Sequence, residues 1–340
     1  MKRRQFISLI GAGVAGAALP APVRALARGT GRSGEYWVER WSWAMGQPVH
    51  LQLFGTTQDH AYEAASAALA ELRRVEARLS LFDGASDLSE LNRRAGRGWW
   101  RADQDLISVL RSAERLQRQT DGAFNIAVEP LMRVWGFRRP RAAPPTPAEL
   151  AEAEEAVRAA VIRIEGDRVQ LPSSHTRIDF GGIGVGYGLD RAAVVLRKHR
   201  IRAALLDVSG DCIALGAPPG QSGWEVDIAD SARPGVMLAR TRLADAALAT
   251  SSNQVSVVHY DGKSLGHIMD PESGAPASAL RQATAVAGTG IGADALSTAM
   301  IVAGRAVGPA TVWTYPVESA PPPGRVPARA APGGSPSRPK

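Results

Sequence analysis

The stretch Asp179-Phe-Gly-Gly-Ile-Gly-Val-Gly-Tyr-Gly-Leu-Asp190 carries more structural information than any other part of the chain. Five of the eight residues from Gly181 to Gly188 are glycines. Because glycine has no Cβ, the backbone of such a run can lie close to a ligand. Apolar spacing then predicts a helix at about 187–199. The stretch therefore predicts a ligand-binding loop that leads into a helix.

Two later motifs accompany this stretch, His267-Ile-Met-Asp-Pro-Glu-Ser-Gly274 and Ala293-Asp-Ala-Leu-Ser-Thr298. In a helix predicted at about 292–303, Asp294 and Thr298 are four positions apart, so their oxygen atoms lie side by side on one face. Mg²⁺ prefers hard oxygen ligands, takes few of them from the protein and completes its shell with water and phosphate oxygens. The three motifs together predict a magnesium-assisted site for a phosphate-bearing ligand.

The motifs of residues 38–304 resemble those of the ApbE family, the FAD:protein FMN transferases. The family forms D-L-G-G-I-A-K-G-Y-A-x-D, H-I-I-D-P-x-T-G and A-D-A-x-x-T are similar to the three motifs above, in the same order. The resemblance extends to Met45-Gly46 (M-G-T in the family), Ser86-Asp-Leu-Ser-Glu-Leu-Asn92 (S-E-L-x-x-L-N), Thr120-Asp-Gly-Ala-Phe-Asn125 (T-D-G-A-F-D), Trp135-Gly-Phe137 and Ala249-Thr-Ser251. Each motif alone is weak evidence, whereas the ordered set is specific.

This resemblance implies a fold and an activity. The fold is α+β, of the ApbE type and related to the T-fold, with mixed sheets and flanking helices in a single catalytic body over residues 35–315. The activity is Mg²⁺-dependent transfer of FMN from FAD to a Thr or Ser hydroxyl of an exported or membrane redox protein, with release of AMP. FAD is then the substrate, Mg²⁺ the cofactor, and the flavin-accepting redox protein the partner.

The resemblance also assigns roles in catalysis and metal binding. Asp294, Thr298 and the backbone carbonyl of Gly182 are the expected metal ligands, and His267 joins Asp294 as an expected catalytic residue. His267 either orients the pyrophosphate or relays the proton of the acceptor hydroxyl, because a histidine pKa lies near neutral pH. The structural alternatives are a carboxylate paired with the helix dipole for Asp294 and an ordinary structural histidine for His267.

Contacts with FAD are expected from Met45, Phe82, Ala123, Phe124, Asn125, Asp179 and Val185. Asp179 suits a ribose hydroxyl but can equally cap the glycine turn, and Met45 and Phe82 suit either a flavin ring or the core. Three positions depart from the family. Asn125 replaces an Asp, Val185 stands where many members have Lys, and Ser252 replaces a glycine in Thr250-Ser-Ser-Asn253. We interpret Val185 as a change that tunes binding.

Two other functions compete with transfer. A FAD pyrophosphatase would use the same site with water in place of the acceptor hydroxyl, and an accessory protein would bind FAD without turnover. A flavin-dependent oxidoreductase has less support, since nothing resembles a nicotinamide site. The lack of H-E-x-x-H, C-x-x-C and P-loop motifs disfavours zinc proteases, redox thiols and P-loop NTPases.

The net charge of +7 over 340 residues belongs to the ends of the chain. Residues 1–27 carry four cations and no acid, and residues 316–340 carry four cations against Glu318 alone. The charges of the remaining residues therefore balance, and nucleic-acid binding loses its main support.

The N-terminus is typical of an export signal, with a basic start, an apolar run at 6–19 and an A-x-A site at Ala25-Leu-Ala27. Arg3-Arg4-Gln-Phe-Ile7 resembles a twin-arginine motif, which predicts export of the folded protein to the periplasm, with no transmembrane segment after cleavage. An uncleaved anchor is the alternative. The literal G-x-G-x-x-G at residues 11–16 lies inside this signal and is a chance match. Cys212 is the only cysteine, so no intramolecular disulfide can form.

Periodicity predicts further helices at 61–79, 103–119 and 148–160, and strands at 161–165, 168–171, 203–208, 224–229, 236–242 and 255–260. The strand at 203–208 is apolar enough to be central. A surface loop is expected at 138–147, with Thr146-Pro147 starting the next helix. The proline-rich residues 316–340 are expected to be disordered. This tail departs from the family, whose members usually continue after the last motif with a helix and a strand.

Overall fold

The computed structural model describes residues 35–308 and 311–316. The predicted export signal at 1–27, and the predicted tail except for Pro316, lie outside these residues. The described helices are α1 (Gln58–Leu79), α2 (Asp87–Arg93), α3 (Gln104–Gln119), α4 (Glu129–Val134), α5 (Pro147–Arg158), α6 (Gly184–Lys198) and α7 (Gly290–Ala303). The described strands are β1 (Tyr36–Ala44), β2 (Gln47–Gly55), β3 (Trp100–Arg101), β4 (Arg163–Glu165), β5 (Arg168–Gln170), β6 (Ala203–Val208), β7 (Asp211–Leu215), β8 (Trp224–Ala229), β9 (Met237–Leu243), β10 (Ala246–Ser252), β11 (Val257–Tyr260), β12 (Lys263–Gly266), β13 (Leu280–Ala287) and β14 (Thr311–Pro316).

A seven-stranded sheet in the order β1-β2-β6-β7-β10-β13-β14 forms the centre of the fold. All of its neighbouring strands pair antiparallel. β6 lies in the interior of this sheet and is buried at every residue except Asp207, as its apolar sequence predicts. The α+β class predicted from the sequence is confirmed.

Three helices, α1, α6 and α7, cover one face of the large sheet. Their apolar side chains pack with those of the sheet in a buried cluster that includes Leu69, Leu189 and Leu206. On the other face, the β8–β9 hairpin covers the middle of the sheet through Trp224. Helix α7 is buried along most of its length, because it lies between the sheet and its neighbouring helices.

Side-chain caps fix five of the described helix starts, among them those of α5 and α7. Thr146 caps α5 in a capping box, in which the Glu149 carboxylate accepts from the Thr146 N–H at 2.8 Å. The predicted helix start at Thr146-Pro147 is therefore confirmed. Thr289 caps α7 by accepting from the Gly292 N–H at 3.2 Å, and α7 ends at Gly304, whose φ of 66° is left-handed.

The last strand corrects one expectation about the end of the domain. β14 pairs antiparallel with β13, from Thr311 opposite Val286 to Pro316 opposite Leu280. The sequence places Pro316 in the tail and predicts no strand after the last motif, whereas in the structure Pro316 ends an edge strand of the sheet. Within residues 35–308 and 311–316, none of the helices has both the length and the apolar character needed to cross a bilayer.

Candidate active site

Helices α6 and α7 cross where Gly186 meets Gly290. A Cβ at Gly186 would lie 2.2 Å from the carbonyl oxygen of Gly290, and a Cβ at Gly290 would lie 2.4 Å from that of Gly186. Only glycine permits two backbones to come this close. The glycine run is predicted to bring the backbone near a ligand, but at Gly186 it brings two helices together.

Hydrogen bonds from this crossing hold two aspartates. Asp190 accepts from the N–H groups of Gly290 and Ile291, at 2.7 and 2.9 Å, and so satisfies free donors at the start of α7. The N–H of Gly186 donates to Asp294 Oδ2 at 3.0 Å. The glycine-rich stretch therefore fixes the position of the predicted catalytic and metal-binding carboxylate.

Asp294 lies in the second turn of α7 and is 5 % exposed. Burial raises the pKa of its carboxyl to about 7; the N–H of Gly186 opposes this shift, and the charge of Asp190 adds to it. The alternative of a carboxylate paired with the helix dipole is not favoured for Asp294, because Asp294 stands in the second turn and Asp190 binds the first N–H groups of α7.

A second carboxylate, that of the half-buried Asp211, lies close enough to Asp294 for their charges to interact. Its Oδ1 accepts from the N–H of Thr250 at 2.9 Å. Burial, and then the negative charge of Asp294, raise the pKa of Asp211 well above its ordinary value. No sequence pattern indicates Asp211, which stands at the start of β7 as an isolated acid. Two neighbouring carboxylates that repel each other, one of them buried, favour the binding of a divalent cation.

Thr298 and Gly182 complete the predicted metal-binding set. A Cβ at Gly182 would lie 2.8 Å from Thr298 Oγ1, so the Gly182 backbone lies against this hydroxyl. In the part of the chain that the structure describes, no three His, Cys, Asp or Glu side chains are grouped to hold an ion. The candidate set is thus one carboxylate, one hydroxyl and one backbone oxygen. These are hard donors that suit Mg²⁺ and leave coordination positions for water and phosphate.

A second group of site residues forms around Arg138, which the sequence analysis assigned to a surface loop. The Arg138 side chain is 18 % exposed and forms an ion pair with Asp179. Its guanidinium carbon lies 5.5 Å from the centre of the Phe82 ring. Among the described residues its Nε has no hydrogen-bond partner. The motif Trp135-Gly-Phe137, directly before Arg138, is the signal that could have indicated it.

Phe82 is expected either on a flavin ring or in the core, and Asp179 either on a ribose hydroxyl or as the cap of the glycine turn. Phe82 is 71 % exposed in a turn, so it does not fill the core. Asp179 accepts from the Gly181 N–H at 2.8 Å, so it caps the glycine turn while it also pairs with Arg138. Both residues therefore meet Arg138 beside the glycine-rich loop, and their contacts with FAD stay predictions.

His267 is half-buried near Arg138. Burial lowers the pKa of His267, a backbone hydrogen bond with Ser256 opposes this, and the positive charge of Arg138 lowers it further. Its Nδ1 is buried and has no hydrogen-bond partner among the described residues. An unpaired buried ring nitrogen is unfavourable unless a ligand completes it, and this favours a ligand-facing histidine over a structural one.

The other predicted FAD contacts lie in less exposed places. Met45 and Val185 are half-buried and pack against core residues, and Phe124 is 2 % exposed, with Ala123 half-buried beside it. Asn125 accepts from the Ala127 N–H at 2.8 Å and lines a cleft of about 210 Å³. Contacts of these residues with FAD stay predictions.

Comparison with known proteins agrees with these features. The sequence model of the ApbE family matches residues 45–318. The FAD:protein FMN transferase of Salmonella typhimurium is 26% identical to this chain over 259 residues, which cover 74% of each protein. The FAD:protein FMN transferase of Treponema pallidum is 30% identical over 225 residues, which cover 61% of each.

Two solved structures share the architecture. The ApbE protein of Thermotoga maritima superposes with a TM-score of 0.71 at 27% identity, covering 78% of this chain and 87% of that one. The flavin transferase ApbE of Vibrio cholerae has a TM-score of 0.70 at 23% identity, covering 79% and 87%, and supports the fold alone. Since the ordered motifs, the sheet and helix arrangement and the match over most of the chain all agree, this chain belongs to the ApbE family.

Proposed function

We propose that this protein transfers the FMN moiety of FAD to a Thr or Ser hydroxyl of a redox protein and releases AMP. The names of its relatives support this activity. The observation that carries the proposal is the buried carboxylate of Asp294, beside Asp211, Thr298 and Gly182. A buried carboxylate beside a second, half-buried one is unfavourable in a purely structural core, so the arrangement favours a cation-binding function.

Asp294, Thr298 and the carbonyl of Gly182 would hold Mg²⁺. When bound, this ion neutralises pyrophosphate charge and stabilises the departing phosphate. The Gly186 N–H holds Oδ2 of Asp294 and leaves Oδ1 without a donor among the described residues. One carboxylate oxygen is thus fixed by the protein while the other is available to a ligand.

Phe82, Arg138 and Asp179 would bind the flavin-containing substrate. The exposed Phe82 ring offers a surface for stacking. Arg138 offers a positive charge to the anionic part of FAD, and Asp179 accepts hydrogen bonds from hydroxyl groups. Because Val185 stands where many family members have lysine, we propose that Arg138 supplies the missing positive charge.

The transfer step forms one bond, breaks one bond and releases one proton. The oxygen of the acceptor hydroxyl bonds to the phosphorus of FMN, the bond from that phosphorus to the AMP oxygen breaks, and the hydroxyl proton leaves. We propose that His267 accepts this proton, since its lowered pKa keeps the imidazole neutral at neutral pH and its Nδ1 has no protein partner among the described residues. A neutral imidazole is the form that a general base requires.

Intact-protein mass spectrometry of a candidate acceptor domain tests this function. The domain is incubated with the full chain, FAD and Mg²⁺, and we expect the added mass of one FMN phosphoester together with an equal amount of AMP. An acceptor that lacks its hydroxyl is the control. Rapid formation of AMP and free FMN without acceptor would instead identify a FAD pyrophosphatase. Binding of FAD without turnover would identify an accessory protein.

We further propose that the protein acts in the periplasm. The support is the N-terminal sequence, with Arg3-Arg4 before the apolar run at 6–19 and Ala25-Leu-Ala27 after it. The twin-arginine route carries folded proteins. The redox protein that receives FMN is then expected in the same compartment or at the membrane facing it.

A further inference from the structure

Three hydroxyl groups connect the predicted metal ligand Thr298 to the backbone of α7. Ser251 Oγ, on β10, lies 3.1 Å from Thr298 Oγ1 and 2.8 Å from Ser297 Oγ. Ser297 Oγ in turn donates to the carbonyl oxygen of Asp294 at 2.9 Å. The chain of hydrogen bonds therefore begins at one predicted metal ligand and ends on the backbone of another.

The chemistry of these groups fixes the direction of every bond in the chain. A carbonyl oxygen only accepts, and each hydroxyl has a single proton. Ser297 is fully buried and gives its proton to the Asp294 carbonyl, so Ser251 must donate to Ser297. Ser251 then has no proton left for Thr298, and Thr298 must donate to Ser251.

Thr298 Oγ1 consequently presents only lone pairs to the side occupied by Gly182. A neutral hydroxyl that binds a cation has to turn its proton away from the ion, since the proton and the cation repel each other. The three-hydroxyl chain imposes this orientation before any ion arrives. Groups behind a metal ligand that fix its donor direction commonly change metal affinity by roughly 10- to 100-fold.

We infer that Ser251, whose own proton is held by Ser297, is a positioning residue that orients the Thr298 hydroxyl for Mg²⁺. The inference rests on the proposed role of Thr298 as a metal ligand. Ser251 belongs to a strand, whereas Thr298 belongs to a helix, so the orientation depends on how the helix packs on the sheet. Ser251 itself need not touch the ion or the substrate.

The neighbouring position on β10 offers a matched control. Thr250 Oγ1 lies 2.9 Å from Thr284 Oγ1, an isolated hydroxyl pair between β10 and β13. The change Thr250→Val breaks that pair with little change in shape, and it leaves the three-hydroxyl chain intact. The two substitutions therefore remove the same kind of bond from adjacent residues of one strand.

The test measures binding of Mn²⁺, which has similar ligand preferences, to the full chain by electron paramagnetic resonance, with FAD present and acceptor absent. We expect Ser251→Ala to raise the dissociation constant roughly 10- to 100-fold, while Ser251→Thr, which keeps the hydroxyl, and Thr250→Val stay at the wild-type value. Ser297→Ala should also weaken binding, because Ser251 is then free to donate to Thr298. If Ser251→Ala does not fold, the Mn²⁺ dissociation constant of Ser297→Ala provides the test.

Equal Mn²⁺ affinity in Ser251→Ala and Thr250→Val would overturn the inference, as would a Ser251→Thr variant as weak as Ser251→Ala. Failure of the wild-type chain to bind the ion would overturn it too. A wild-type chain that binds Mn²⁺ and responds to these substitutions, but modifies no acceptor, would support the inference while contradicting the proposed transfer.

Discussion

Ionised Asp294 is destabilising in the metal-free protein because the carboxyl is buried beside other acids. When the pKa of an acid is higher in the folded state than in the unfolded state, the acid contributes to stability at pH values below its unfolded-state pKa. This contribution to stability is lost as the pH rises through the folded-state pKa. For Asp294 the ordinary value is 3.8 and the folded value is about 7, so the loss falls between these two values. At neutral pH and above, stability should therefore depend on a bound cation.

Asp294→Asn separates the two roles of this residue. The amide keeps the size of the side chain but removes the charge and the metal ligand. Losing this metal ligand should remove on the order of several kcal/mol of transition-state stabilisation. We therefore expect almost no FMN transfer in the mass-spectrometric assay. Without metal at pH 8, the unfolding temperature of the variant should equal or exceed that of the wild type. Full activity, or activity that persists with a chelator, would contradict the metal assignment.

Sequence spacing predicts the Asp294 and Thr298 pair, because a helical period is a local signal, and the family resemblance adds the carbonyl of Gly182. Arg138 has only the neighbouring motif Trp135-Gly-Phe137 as a local signal, and Asp211 has none. Arg138 becomes a site residue only because its loop returns to Asp179, and Asp211 only because β7 brings it near α7. Sequence periodicity carries no information about contacts between distant segments of the chain.

Arg138→Ala should weaken FAD binding. It removes a charge-assisted interaction with the substrate and leaves Asp179 without its cation, a loss of about 1.5–3 kcal/mol. The adjacent Arg139 is exposed, so Arg139→Ala is the matched control for net charge. Flavin fluorescence titration measures both. Equal dissociation constants for the two variants would show that Arg138 does not recognise FAD.

The helices with strong apolar periodicity, α1, α3 and α5, are found close to their predicted bounds. Several strands could not be predicted, and β10 shows why. Its sequence Ala246-Ala-Leu-Ala-Thr-Ser-Ser252 lacks both alternation and large β-branched residues. Its strand conformation is stabilised by pairing with β7 and β13 on its two sides, a property of the assembled sheet.

An added methyl group should be tolerated at Gly184 of α6 but not at Gly186, where α6 crosses α7. A Cβ at Gly186 would lie 2.2 Å from a carbonyl oxygen and 2.8 Å from Asp294 Cβ, whereas a Cβ at Gly184 would meet its nearest atom at 3.6 Å. Gly186→Ala should therefore lower the free energy of unfolding by about 1–3 kcal/mol and weaken Mn²⁺ binding. Gly184→Ala should be neutral or slightly stabilising. Chemical denaturation compares them, and equal stability would contradict the close crossing.

The charge and cysteine content of the whole chain agree with the proposed periplasmic location. Outside residues 1–27 and 316–340 the charges balance, so the basic start before the apolar run at 6–19 is a local feature of the N-terminus and not a property of the whole chain. Cys212 is the only cysteine and is buried, so no disulfide has to form after translocation.

Replacing Arg3 and Arg4 with lysine tests the route of export. The twin-arginine pair is read by a receptor, so the double substitution should leave the precursor in the cytoplasm although it preserves charge. Immunoblots of cytoplasmic and periplasmic fractions provide the measurement. Undiminished export of the variant would indicate the general secretory route.

The embedding of α7 has a consequence for motion. Ten of its fourteen residues are buried, so the helix that carries Asp294 and Thr298 cannot move without disturbing the sheet. Phe82 and Arg138 lie instead in turns and loops. When FAD binds, amide hydrogen exchange should therefore slow around Phe82 and Arg138 and stay unchanged in α7. The wall of the site formed by α7 should then stay rigid, while the loops that carry Phe82 and Arg138 adapt. Altered flavins should therefore be accommodated by changes in these loops.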